Sequence, residues 1–154
     1  MNARLLCLTF VAAAALACDD GPGSPLTISS GSGTAATLNV AGTWMGAAND
    51  STRQMTMTWQ LTQSNRNVAG TFAATTAVGA PIYTSGAIAG TVSDTAFTFT
   101  ITVPRGSVAD APECTASFTG TADDVRADSM AGTYSGSDSC DGTFTGGRFT
   151  LLKQ

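Results

Sequence analysis

Apolar and polar residues alternate along almost the whole chain beyond residue 37. In "MTMTWQLTQ", residues 55–63, Met55, Met57, Trp59 and Leu61 share one face, and Thr56, Thr58, Gln60 and Thr62 share the other. "AFTFTITV", 96–103, sets Phe97, Phe99, Ile101 and Val103 against threonines in the same way. A period of two with one apolar face is the signature of a half-buried antiparallel strand. Extended to the end of the chain, the pattern predicts eight strands, near 38–47, 54–63, 67–75, 85–93, 96–103, 114–123, 129–137 and 142–152. No segment after residue 18 shows helical spacing. Most links are short and turn-like ("SNRN", "SDT", "DVRAD", "SDSCD"), so strands that follow one another in sequence should be neighbours in space, as an up-and-down meander.

An antiparallel meander of eight strands with one apolar face can close into a barrel and so remove both sheet edges; a two-sheet sandwich is the alternative that the same alternation would serve. A recurrent pentad favours the barrel. "VAGTW" at 40–44 returns as "VAGTF" at 68–72, "IAGTV" at 88–92, "FTGTA" at 118–122 and "MAGTY" at 130–134. Gly42, Gly70, Gly90, Gly120 and Gly132 each fall on the apolar parity of their strand, where a glycine weakens the strand. A tightly coiled small barrel uses such positions as bends, and as room for large side chains reaching over from across the lumen. "TGGR", 145–148, changes the inward parity between Phe144 and Phe149 and predicts a bulge in the last strand. "TTAVGAPIYTS", 75–85, and "PRGSVADAPEC", 104–114, are the longest predicted connections, the places where a rigid barrel carries function.

The first residues add an address. "MNARLLCLTFVAAAALAC" has one early cation, Arg4, an apolar run from Leu5 to Leu16, and small residues before Cys18. That run is too short to span a bilayer and reads as an export signal over residues 1–17. A cysteine directly after "ALA" resembles the lipobox of bacterial lipoproteins. The resemblance implies that Cys18 becomes the acylated first residue of the mature protein, and acyl chains together supply stable membrane attachment. It implies a cell-envelope protein anchored by lipid to the inner or outer membrane. Residues 18–36, rich in Gly, Ser, Pro and Thr and poor in large apolar residues, read as a flexible tether, which leaves 37–154 as one β-domain.

Cysteine and charge then narrow the chemistry. With Cys7 in the leader and Cys18 at the lipid, Cys114 and Cys140 remain, and an exported pair is expected to form a disulfide. A redox or metal role fits poorly, because the spacing is not CxxC and the chain has no histidine. The formal net charge of −4 lacks the basic footprint that nucleic acid requires, so no nucleic-acid partner is expected. The aspartates at 123, 124 and 128, and at 138 and 141, fall in predicted turns without the spacing of a calcium loop, so no metal is expected. With no HExxH, no GxSxG elbow and no phosphate loop, the chain is expected to be non-enzymatic and to carry no cofactor.

A meander barrel whose first strand carries Gly42, Thr43 and Trp44 resembles the lipocalin and avidin group of barrels, which share GxW near the start of strand one. In lipocalins that tryptophan closes one end of the barrel beneath a late arginine, so the resemblance implies a Trp44–Arg148 pair. The absence of a helix after the last predicted strand is more similar to avidins. Biotin binding is not implied, since Gly46 and Asp50 stand where avidins place an asparagine and a serine. The function expected first is binding of a small apolar ligand in the barrel mouth by Trp44, Trp59, Phe72, Phe99, Phe118 and Tyr134. The alternative is a filled core, with the loops serving as a protein-interaction or inhibitor module.

Overall fold

The computed structural model describes residues 38–154. The expected leader at 1–17, the expected tether at 18–36 and the expected lipidation site Cys18 lie outside the described residues. Eight strands follow one another: β1 (Gly42–Asn49), β2 (Gln54–Ser64), β3 (Asn67–Thr75), β4 (Pro81–Val92), β5 (Phe97–Val103), β6 (Ala116–Val125), β7 (Ser129–Asp138) and β8 (Gly142–Lys153). No helix occurs among the described residues. Each strand pairs antiparallel with the next, and β8 pairs with β1, so the sheet is a closed up-and-down barrel rather than a sandwich.

The alternation read from the sequence is the alternation of burial. Met55, Met57, Trp59 and Leu61 of β2 are buried, as are Phe97, Phe99, Ile101 and Val103 of β5, while the threonines between them face outward. The outer face of β5–β7 carries a regular array. Register sets Thr98 beside Thr121 and Thr121 beside Thr133; the next rows are Thr100–Thr119–Ser135 and Thr102–Ser117–Ser137.

The pentad glycines hold the inward parity, with a physical reason closer at hand than the far wall. At Gly120 a Cβ would run into the backbone carbonyl of Thr133 on the neighbouring strand and lie 2.6 Å from Cζ of Phe99. At Gly90 it would meet the carbonyl of Thr98 and, at 2.7 Å, the ring of Phe97. At Gly70, Gly90, Gly120 and Gly132 the space of a side chain is thus taken by the backbone of the adjacent strand, not by rings from across the lumen, while at Gly42 it is taken by the Lys153 side chain.

The bulge in β8 is present. Tyr134 pairs with Gly147 but Gly136 pairs with Phe144, and Gly146 takes φ +67°. Residues 147, 149 and 151 consequently face inward, and Arg148 faces out. One connection is shorter than expected. β4 begins at Pro81, so the β3–β4 link is residues 76–80, and Ile82 and Tyr83 belong to an irregular first part of the strand, where register shifts interrupt the β3 ladder between Phe72 and Thr75.

Candidate functional site

The two ends of the barrel differ. Leu38, Gln154 and the short β2–β3, β4–β5 and β6–β7 links lie at one end. It is closed by the segment preceding β1. Val40 is fully buried, its N–H donates to Gln63 Oε1 at 2.8 Å, and its carbonyl accepts Trp44 Nε1–H at 2.8 Å. Gln63 Nε2 donates in turn to the carbonyl of Leu38. The cation above the Trp44 ring is Lys153, whose Nζ lies 5.2 Å from the ring centroid. The expected Trp44–Arg148 pair is therefore corrected to Trp44–Lys153. Lys153 stands opposite Trp44 in the β1–β8 ladder, whereas Arg148 stands opposite Asn49 and has been turned outward by the bulge.

Between the ends, the six aromatic residues expected to grip a ligand are brought together, but as packing. Trp44, Trp59, Phe72, Phe99, Phe118 and Tyr134 are all at most 4% exposed. Trp59 packs on Phe99 and Phe149, with ring centroids 4.9 and 5.2 Å apart; Phe118 packs on Phe72 and Phe144, at 5.5 and 5.1 Å. These are ordinary aromatic pair distances. The middle of the lumen is thus filled by side chains, as an eight-stranded barrel allows. One polar atom in it lacks a partner: Trp59 Nε1 is buried without a hydrogen bond.

Above this core, toward the end bearing the β1–β2, β3–β4, β5–β6 and β7–β8 links, lies a polar layer. Tyr134 donates its hydroxyl to Asp50 Oδ2 at 3.0 Å, and Tyr83 donates to Asp138 Oδ2 at 3.5 Å. Asp138 is itself buried, and its other oxygen accepts the backbone N–H of Cys140 at 2.9 Å. Arg53 reaches across this end, 5.9 Å from the Tyr83 ring centroid, to pair with Asp141 at 2.6 Å. Burial pushes the Tyr83 hydroxyl up to about 12; the Arg53 charge opposes that shift and the Asp138 charge adds to it. Tyr134 is also raised, by burial first and then by the Asp50 carboxylate it is bonded to. Burial would raise Asp50 as well, but hydrogen bonds from Thr52, Tyr134 and the Arg53 backbone outweigh it and hold the carboxyl below its usual range. The layer is therefore one of two neutral phenols, Tyr134 bonded to the ionised Asp50 and Tyr83 bonded to Asp138.

The long β5–β6 link forms one wall of this mouth. Val108 bridges to Tyr83, Ala109 N–H donates to the carbonyl of Ile82 at 2.9 Å, and Thr84 N–H donates to that of Ser107 at 2.8 Å. The expected disulfide joins Cys114 to Cys140 with Cα atoms 5.8 Å apart, fastening this link to the β7–β8 turn. Closing a loop of 26 residues contributes about 3.5 kcal/mol in the chain-entropy account. Glu113 lies against the same two sulfurs, but sulfurs shared in a disulfide are not metal ligands.

Within the mouth a pocket of about 430 Å³ is lined by Ala80, Pro81, Ile82, Val108 and Ala111 and by the polar residues Arg53, Gln54, Thr76, Asp110 and Asp141. None of the six expected aromatic residues borders it. Arg53 and the pocket wall at Ile82 and Val108 were not singled out by the alternation, since both walls belong to segments that read as connections. The signal available was Arg53, a cation in the tight β1–β2 link whose neighbours are polar.

No protein-family model matches the sequence, and no curated protein matches it. Two solved barrels are similar in fold. One is the structure of EF1p2_mFAP2b bound to DFHBI, 16% identical, with a TM-score of 0.58 and coverage of 74% of this chain and 93% of that one. The other is a redesigned beta barrel, mFAP1, bound to DFHBI, 18% identical, with a TM-score of 0.52 and coverage of 74% and 94%. At these identities the likeness is one of fold.

Proposed function

We propose that this is a lipid-anchored, non-enzymatic protein of the bacterial cell envelope that binds a small apolar molecule in the mouth of its barrel. The observation that carries the reading is the contrast between the ends. One is sealed by Val40, Trp44 and Lys153, while the other holds a pocket of about 430 Å³ with apolar surface at Pro81, Ile82, Val108 and Ala111 beside an equal set of polar groups that includes the Arg53–Asp141 pair. Apolar concavity with a few polar groups is the usual form of a small-molecule site. The filled lumen moves the ligand from the barrel axis to the mouth. Two barrels of similar fold are described as bound to the small molecule DFHBI, which is in keeping with this use of the architecture. The described chain enters the barrel at the sealed end, through Leu38.

A second reading, a loop-borne protein-interaction module, is favoured by one feature. Val78, at the tip of the β3–β4 link, is 92% exposed. Native mass spectrometry of the full-length protein purified from its own host, beside an Ala111→Trp variant that fills the pocket, separates the two. A small bound mass lost in the variant is expected. A wild-type protein with no bound mass, which also leaves an environment-sensitive apolar dye dark, overturns the ligand reading; capture of a protein partner that Val78→Asp abolishes would establish the second.

A further inference from the structure

The β5–β6 link, residues 104–115, is fastened to the barrel unequally along its length. Its first half is stitched to β4: Thr84 N–H donates to the carbonyl of Ser107 at 2.8 Å, and Ala109 N–H to that of Ile82 at 2.9 Å. Its second half has no such stitching. Among the described residues, the hydrogen bonds of residues 110–114 all stay inside the link: Ala111 N–H to the Val108 carbonyl at 3.4 Å, Cys114 N–H to that of Ala111 at 2.9 Å, and Gly106 N–H to that of Pro112 at 2.7 Å. Neither Asp110 nor Glu113 forms an ion pair with the described residues. What bonds this stretch to another part of the barrel is the disulfide from Cys114 to Cys140.

The other end of the bridge is fixed without it. Cys140 sits in the β7–β8 turn, where the buried Asp138 accepts its N–H at 2.9 Å and that of Asp141 at 3.4 Å, and where Ser139 N–H donates to the Thr115 carbonyl at 2.8 Å. The bridge therefore has one secured end, in the turn, and one dependent end, in the link. The dependent stretch is also part of the mouth, since Asp110 and Ala111 border the pocket together with Arg53 and Asp141. Neither cysteine belongs to the barrel ladders: β6 begins at Ala116, and the β7–β8 pairing closes through Asp138 and Gly142.

We infer that the Cys114–Cys140 bridge is a redox latch on the mouth: oxidised, it holds residues 110–114 in place as pocket wall; reduced, it releases that stretch while the barrel stays closed. That release empties the pocket of its ligand rests on the reading of the mouth as a ligand site; the release itself does not. The reductant is a dithiol. Its thiolate attacks the sulfur of Cys140, which is exposed, whereas Cys114 is fully buried. The Cys114 sulfur leaves as a thiolate and takes up a proton, and the second thiol of the reductant then displaces Cys140 from the mixed disulfide. Two electrons pass, leaving two cysteine thiols on the protein and one disulfide on the reductant. A segment held by few bonds opens at a lower free energy than the ladders beside it, so the two should separate on reduction.

The test uses a site that the sequence supplies. Glu113 is the sole glutamate of the chain, so a glutamate-specific protease has one place to cut, inside the dependent stretch. Full-length protein, oxidised or reduced with dithiothreitol, is digested with that protease and, in parallel, with trypsin, whose cut after Arg148 requires the β8 ladder to open. Intact mass follows both. Reduction should speed cleavage at Glu113 by about tenfold or more and leave Arg148 protected, and Cys114→Ala with Cys140→Ala should match the reduced protein. Nile red, an apolar probe of the mouth, should bind the reduced protein about tenfold more weakly than the oxidised. An unchanged rate at Glu113 overturns the latch, as does an equal rise at Arg148, which would make the bridge a brace of the whole barrel, or a Nile red affinity that reduction leaves alone. If the oxidised protein does not bind Nile red, the ligand reading falls, and the latch is decided by the two cleavage rates.

Discussion

Replacing Gly120 by alanine should destabilise this barrel, although alanine costs less chain entropy on folding. The entropic gain from Gly→Ala is about 0.4–1 kcal/mol where the backbone conformation suits both residues. Against it stands a Cβ set 2.6 Å from Phe99 Cζ and 3.0 Å from Tyr134 Cβ, as well as against the Thr133 carbonyl. Carbon atoms rest about 3.5–4.0 Å apart. Phe99 is buried against Trp59 and Phe149 and has little room to retreat, and the carbonyl belongs to the β6–β7 ladder. Relief must come from separating β6 and β7, an overpacking cost of about 1–3 kcal/mol that leaves a net loss of about 1–2 kcal/mol. Gly86 is the internal control. There the closest atoms to a Cβ are Thr102 O at 3.0 Å, Phe72 Cδ1 at 3.1 Å and Val103 Cγ2 at 3.3 Å, so small shifts suffice and Gly86→Ala should be near neutral. Urea denaturation followed by tryptophan fluorescence measures both. With a urea m-value of about 1–2 kcal/mol/M, the Gly120→Ala midpoint should fall by roughly 1 M. A midpoint at or above wild type, or a larger loss for Gly86→Ala, would refute the close-approach explanation of the pentads.

The two tryptophans should respond unequally to phenylalanine. Trp44→Phe leaves the Val40 carbonyl without its donor, whereas Trp59→Phe removes an N–H that has no partner, so Trp44→Phe should cost about 1 kcal/mol more in the same urea experiment. The tyrosines set an alkaline limit. Tyr83 and Tyr134 hold their protons more tightly folded than unfolded, so their contribution is complete below pH about 10 and is lost as pH rises through 10 toward 12. Tyrosinate absorbance of the folded protein should therefore be missing at pH 10 and emerge with unfolding; free titration of both groups near 10 would contradict the buried phenol–carboxylate layer.

The barrel was legible because burial here follows period two almost without exception, and because short links left a meander as the simplest path. The start of β4 was not legible. "PIYTS" carries a proline after Gly79 and looks like a continued loop, while its strand character comes from pairing with Val108 and with an irregular stretch of β3. The Trp44 partner was obscured for a related reason. Parity could show that the bulge divides β8, but only register reveals that Lys153, five residues beyond Arg148, is the cation that reaches the ring. Alternation identified Trp59, Phe99 and Phe118 as inward. Whether inward side chains line a cavity or fill it depends on summed volumes across eight strands, including Phe97, Phe144 and Phe149, and a one-dimensional pattern carries no such sum. The mouth was hidden most completely, since Arg53, Ile82 and Val108 meet there from the β1–β2 link, the irregular start of β4 and the β5–β6 link.

The pairing of β8 with β1 has a consequence for how this molecule meets others. Each strand has a paired neighbour on both sides, so the barrel offers no free edge strand onto which a guest peptide could zipper. Recognition must run through side chains and shape. Copies crowded together would lack the route by which open sheets stack into fibres.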